Sequence, residues 1–191
     1  MSEDGFHVHG LHDHELEHAA HNDPGGMAGQ LAVVTAILAT VGALFAYMGG
    51  ATQADAGLYK NDAAIKNTEA SNQWNYYQSK SGKQNLSELA QELAPEARKT
   101  FYVDEIKRYK TEKAEIKVAA EKLEVESKVW DDRSAEQMHQ HHRWAQATTA
   151  LQIAIAMAAI ALLTKRRWLE KLVFGVSGVG FVLGVLAWFH V

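Results

Sequence analysis

Histidine offers the most chemistry in this sequence, and six of its ten copies fall in the first 28 residues: His7, His9, His12, His14, His18 and His21. If 11–22 forms a short helix, Leu11, His14, His18 and His21 share a face. His7 and His9, like His12 and His14, are pairs separated by one residue. Imidazoles suit zinc, nickel or copper, and the neighbouring Asp and Glu can complete a ligand shell. His14-Glu15-Leu16-Glu17-His18 even fits the H-E-x-x-H metalloprotease spacing. That chemistry also needs a third ligand and a substrate cleft, and this segment is a composition-biased polar tail with no domain to build one. Two readings of the tail stay open: a divalent-metal site, or a solvated segment that a partner orders. Clustered histidines titrate near neutrality, which adds a possible pH response. His139, His141 and His142 follow Met138 just ahead of an apolar run and read as interfacial residues.

The rest of the chain offers little catalytic material. It has no cysteine, so there is no disulfide, thiolate metal site or Cys nucleophile. No phosphate loop, nucleophile triad or convincing carboxylate pair appears, and no enzymatic activity is expected. Charges in the central segment alternate in sign, which reads as a solvated helical surface and argues against nucleic-acid binding.

The elements that must carry these groups are set by where charge is missing. Asp, Glu, Lys and Arg are absent from 24–53, 144–164 and 172–191. Each gap is at least as long as the roughly 20 apolar residues needed to cross a bilayer core of about 30 Å. Three buried core helices of a soluble protein would leave too little chain to cover them. The expected organisation is a His- and acid-rich tail (1–28), a first membrane helix (29–50), a polar helical segment (51–143), a second membrane helix (144–164), a basic turn (165–171) and a third membrane helix (172–190). The tail has six acids and no base, against 19 bases and 17 acids after it. It lacks the basic region of a secretory signal, and the first apolar run is long enough to span.

The central segment is expected to be helical nearly throughout. Pro95 is its main breaker, since the residue before a proline avoids the helical region and proline suits the first turn of a new helix. One helix should end near Leu93 and another begin at Pro95, with Gly82 a weaker break and Gly49-Gly50 a loose end to the first span. In the second arm Tyr102, Ile106, Tyr109, Lys113, Ile116, Ala120, Leu123, Ser127 and Trp130 alternate steps of four and three, the spacing of a coiled-coil seam. Lys113 and Ser127 are imperfect members of it. The pattern continues through Gln137, His141, Trp144 and Leu151 without Pro or Gly, so this helix should enter the membrane unbroken, roughly 100 Å long at 1.5 Å per residue. The fold class is thus an all-α membrane protein: three transmembrane helices with a long antiparallel, coiled-coil-like hairpin between the first and second. Pairing about Pro95 places Trp74 beside Glu115 and Ile116, Leu58 and Tyr59 beside Trp130, and Leu86 beside Val103.

Lys165, Arg166, Arg167 and Lys171 place the short turn in the cytoplasm by the positive-inside rule, with the tail inside and the hairpin outside, periplasmic in a Gram-negative cell. Lys60, Lys66, Arg133 and Arg143 flank the hairpin and pull the other way. No ionisable residue lies inside a span, so coupled ion transport lacks its usual relay. Gly175, Gly178, Gly180 and Gly184 give the third span a small-residue face for helix packing, with Gly180 and Gly184 at GxxxG spacing.

The stretch "EASNQWNYYQSKS" supplies the remaining candidates: Gln73, Trp74, Tyr76, Tyr77, Gln78, Lys80 and Ser81, with Trp130 across the hairpin. On a helix Trp74, Tyr77, Gln78 and Ser81 form one stripe, and Gln73, Tyr76 and Lys80 an adjacent one. They fill the hairpin seam or present an aromatic surface to another protein or a ligand. The stretch resembles the signature of a bacterial membrane-protein family, domain of unknown function 4337, carried by Glu69, Ala70, Ser71, Gln73, Trp74, Tyr76, Tyr77, Gln78, Lys80, Ser81 and Lys83. "LQIAIAMAAIALLTKRRWL" at 151–169 resembles that family's closing pair of membrane helices with their basic turn. The resemblance covers roughly 30–190. It implies architecture and a bacterial cytoplasmic membrane, but no activity.

The expected role is a non-enzymatic, homo-oligomeric scaffold or accessory subunit in the bilayer, assembled through the hairpin and the Gly-rich third helix. A metal-binding or metal-sensing membrane protein and an oligomeric channel are the alternatives. Deleting residues 1–28 separates the metal reading from the scaffold. Zinc, nickel or copper binding, measured by calorimetry, should vanish while the assembly keeps its number of copies.

Overall fold

The computed structural model describes residues 26–190. These form three α-helices and, among the described residues, no strand: α1 is Met27–Leu93, α2 is Glu96–Thr164 and α3 is Arg167–Trp188. All three are long and apolar enough to cross a membrane. The tail histidines His7, His9, His12, His14, His18 and His21 lie outside the described residues.

The helix ends follow from local chemistry. Proline cannot continue a helix from the preceding turn. α1 therefore stops at Leu93 and α2 starts immediately after Pro95, whose carbonyl accepts a 2.9 Å hydrogen bond from the Arg98 N–H. Gly49, Gly50 and Gly82 do not interrupt α1. Each costs only about 1 kcal/mol relative to Ala, which cooperative helix propagation and side-chain packing offset. α2 ends at Thr164 with Lys165 in the left-handed region (φ 52°), and the Lys165 N–H bonds the Ala161 carbonyl at 2.8 Å. Arg166 is extended and caps α3 without a side-chain bond. The turn between α2 and α3 is thus Lys165-Arg166 alone; Arg167 to Lys171 form the first turn of α3.

The chain divides into two compact units: one within Met1–Gln53 and Met138–Val191, the other Ala54–Gln137. In the first, parts of α1, α2 and α3 share an apolar interior. Leu31, Ala158, Ala161 and Val173 form one fully buried cluster, and Leu38, Leu151 and Ala154 a second. The buried face of α2 is mostly alanine (Ala147, Ala154, Ala158 and Ala161, all 0% exposed). Alanine carries no side chain to hold helices apart, so backbones approach closely, as membrane helix packing requires. The glycines of α3 divide into two sets. A Cβ at Gly180 would sit 2.6 Å from Leu151 Cδ2 and 3.3 Å from the Leu151 backbone nitrogen, and one at Gly184 would enter the Phe45 ring. A Cβ at Gly175 or Gly178 would meet nothing within 4 Å.

In the second unit, Ala54–Gln137, segments of α1 and α2 contact one another in opposite chain order. Ser134 Oγ donates to the Ala56 carbonyl at 2.8 Å, and Ser127 Oγ to the Ala63 carbonyl at 2.9 Å. The Tyr59 and Trp130 rings lie 5.6 Å apart between them. Every member of the four-three series from Tyr102 to Trp130 is at least partly buried, including Lys113 and Ser127.

This packing separates the glycines experimentally. Gly180→Ala and Gly184→Ala should each destabilise the protein by about 1–3 kcal/mol through overpacking. Gly175→Ala and Gly178→Ala should cost nothing and gain up to about 1 kcal/mol of helix propensity. Thermal unfolding midpoints of the purified variants in one detergent read the difference.

Candidate functional site

The "QWNYYQSKS" block lies in the C-terminal third of α1, within the unit Ala54–Gln137. Gln73, Trp74, Tyr77, Lys80 and Ser81 are partly buried, whereas Tyr76 and Gln78 are exposed. The outward tilt of Tyr76 and Gln78 follows from helix geometry, because they lie off the stripe that Gln73, Tyr77 and Lys80 continue from Ala56, Tyr59, Ala63, Lys66 and Ala70.

The indole of Trp74 meets the Tyr77 ring edge-on at 5.7 Å and donates a 2.7 Å hydrogen bond to Glu124 Oε1. The pairing expected from chain position puts Glu115 and Ile116 beside Trp74 instead. The difference has a steric cause. Helical side chains lean toward their own N-terminus and cover the preceding turn. Trp74 therefore leans toward Ala70 and Glu124 toward Ala120. Ala70 and Ala120, 1% and 0% exposed, are small enough to leave room there.

One turn further on, cations occupy the aromatic faces. Lys80 Nζ lies 2.6 Å from Glu112 Oε2, 5.0 Å from the centre of the Tyr76 ring and 5.7 Å from that of Tyr109. Lys113 Nζ sits 4.9 Å from the Tyr77 ring centre and donates to Gln84 Oε1 at 3.2 Å. Arg108 stacks on Tyr109 at 5.0 Å and pairs with Glu105. Trp130 carries Arg133 at 4.7 Å. Such contacts are attractive because the ring face is electron-rich. One face each of Tyr76, Tyr77 and Trp130 meets a cation of this chain, and Trp74, Tyr77 and Lys80 of the block contact α2 through Glu124, Lys113 and Glu112. The contact with Glu112, and then that with Tyr76, raise Lys80 above its ordinary value. The Lys80 contact in turn holds the Glu112 carboxyl below the usual carboxylate range. Asp131 is lowered in the same way by Lys60.

In the unit within Met1–Gln53 and Met138–Val191, His141 Nδ1–H donates to the Gly49 carbonyl at 2.8 Å, and its ring lies 5.6 Å from that of His142. His139, His142 and His190 are exposed, and His190 meets the buried Gln140 at 2.5 Å. No group of three His, Cys, Asp or Glu side chains able to hold a metal occurs among the described residues. His141 follows Ser134 by seven residues, as Ser134 follows Ser127, and the three accepting carbonyls, Gly49, Ala56 and Ala63, are also seven apart. This stepping was open to sequence reading: Gly42, Gly49, Ala56, Ala63 and Ala70 recur every seven residues and all are buried. They were hard to see because small residues carry no hydropathy signal.

Two outcomes follow. The stability that the Lys80–Glu112 pair supplies should be present above pH of about 4.3, the ordinary carboxylate value, and lost as pH falls through the depressed value of Glu112. At the other end it should be lost as pH rises through the elevated value of Lys80. Helicity followed by circular dichroism on a pH titration should show an acid transition that Glu112→Gln makes shallower. Ser127→Ala and Ser134→Ala should each lower stability by about 1 kcal/mol, the net worth of one hydrogen bond. Ala63→Leu should cost more, since it wedges the helices apart.

Comparison with curated proteins and with solved structures finds no match. A family model does match, over residues 27–190, and so includes all three helices and both blocks that carry the sequence resemblance. The chain belongs to the family described as domain of unknown function DUF4337.

Proposed function

We propose that this protein is an integral membrane scaffold or accessory subunit of the bacterial cytoplasmic membrane, built from several copies of the chain or from the chain and other subunits. Its three apolar helices span the bilayer. The segments on either side of Pro95 form a hairpin outside it that acts through contact, without catalysis. The Lys165-Arg166 turn and the tail lie in the cytoplasm, and the hairpin lies on the opposite side.

The observation that carries this reading is the surface of the unit Ala54–Gln137. It is only two helices thick, and it leaves Leu86, Leu89, Leu93 and Phe101 between 57% and 77% exposed. Apolar surface of that kind marks a place of contact with another protein. The seam residues are already paired within the unit, so assembly falls to the outward faces. On α3, Gly180 and Gly184 are already used inside the chain, so they are not free for assembly.

Native mass spectrometry of untagged protein, extracted gently from its host, tests the proposal. The expected mass is a whole-number multiple of the 21.1 kDa chain or a stoichiometric complex with other proteins. A single chain alone contradicts it.

A further inference from the structure

The outward faces of the three spans differ in chemistry. α1 presents Val33, Ile37 and Leu44, and α3 presents Phe174, Val179, Val182 and Val185, all between 48% and 62% exposed. These large apolar side chains suit lipid. α2 presents Ile153 and Ile160, each 50% exposed, and beside them a strip of smaller residues, Ala145, Thr149, Gln152, Ala156 and Ala159, which follow steps of four and three and are exposed or partly exposed. The buried face of the same helix carries Ala147, Leu151, Ala154 and Ala158.

Gln152 is the residue that lipid cannot satisfy. It is exposed, and it lies eight residues beyond Trp144, so about 12 Å along the helix axis from it at 1.5 Å per residue. That is close to the middle of a hydrocarbon core of about 30 Å. Thr149, on the same face, bonds the Ala145 carbonyl of its own helix at 2.8 Å. The Gln152 carboxamide has no hydrogen-bond partner among the described residues. Hydrocarbon offers it no donor or acceptor, and leaving it unpaired there is costly.

From this we infer that the α2 face Ala145–Thr149–Gln152–Ala156–Ala159 docks on the same face of a second copy of this chain, with the two Gln152 carboxamides hydrogen-bonded across the axis between them. A carboxamide carries both donors and an acceptor, so identical residues satisfy one another across a two-fold axis. The small residues a turn before and after Gln152 let the two α2 backbones come close enough for that bond. Neither the α1 nor the α3 face offers a mid-span carboxamide needing a partner. The inference rests on the membrane-scaffold reading and names which surface joins the copies.

The absence of native cysteine makes the test clean. Thr149→Cys, Gln152→Cys and Ala156→Cys, introduced singly into the full chain in its own membranes and mildly oxidised, should give disulfide-linked dimers. Val33→Cys on α1 and Val182→Cys on α3 should not. Gln152→Leu, which keeps the span apolar and able to insert, should weaken self-association about threefold to thirtyfold in reconstituted bilayers, the range measured for interhelical polar bonds. Gln152→Asn should weaken it less. Dimers concentrated at Val33 or Val182, or a Gln152→Leu variant that associates like the parent, overturn the inference. If the extracted mass is then still a multiple of the chain, the copies meet elsewhere and the scaffold reading stands. If it is a single chain, both fall.

Discussion

The distance between α1 and α2 is set by residues that have almost no side chain. Gly42 and Gly49 in one unit, and Ala56, Ala63 and Ala70 in the other, recur every seven residues on the buried stripe of α1. A helical carbonyl already bonded within its helix still has a second lone pair, but another helix reaches it only where nothing bulky intervenes. Ser134 and Ser127 do so at Ala56 and Ala63, and His141 does so at Gly49. A β-branched or larger residue at Gly49, Ala56 or Ala63 would move the two backbones apart and leave His141, Ser134 or Ser127 without its carbonyl partner. The larger groups sit where this stepping leaves room. Trp74 and Glu124 meet over the Ala70–Ala120 level, and Tyr59 stacks on Trp130 between two serine bonds.

The same economy governs the apolar helices. The inner face of α2 is alanine, and α3 spends two of its glycines on Leu151 and Phe45. Close packing of small residues leaves large apolar side chains for the outside, which is the reverse of a soluble core and what a helix facing lipid needs. The polar unit solves a different problem with cations. Lys80, Lys113 and Arg108 lie on tyrosine faces, their aliphatic stems adding apolar cover to a two-helix structure that has no third layer.

Much of the fold was legible because charge is either present or absent over whole segments. The three apolar stretches announce themselves by missing Asp, Glu, Lys and Arg, and the break at Pro95 by one residue that cannot continue a helix. The stripe of α2 was legible because Ile106, Tyr109, Ile116 and Leu123 are large. The facing stripe of α1 was not, because Ala, Lys and Gln occupy it and only their period of seven gives it away. The glycines show the limit of spacing as evidence. Gly175, Gly178, Gly180 and Gly184 look alike in sequence, and only the position of Leu151 and Phe45 separates the pair in contact from the pair in the open. The hydrogen-bond partner of Trp74 lies away from the residues opposite it in chain position because helical side chains lean toward their own N-terminus.

The central claim is that α1 and α2 of one chain approach at the small-residue positions. Cysteine pairs in this naturally cysteine-free protein measure it directly. Ala63→Cys with Ser127→Cys, and Ala56→Cys with Ser134→Cys, should close disulfides within one chain, read by electrophoresis as a mobility change without a doubling of mass. Ala63→Cys with the outward Val125→Cys should not. Failure of both inward pairs to close, or closure only between chains, would contradict the account.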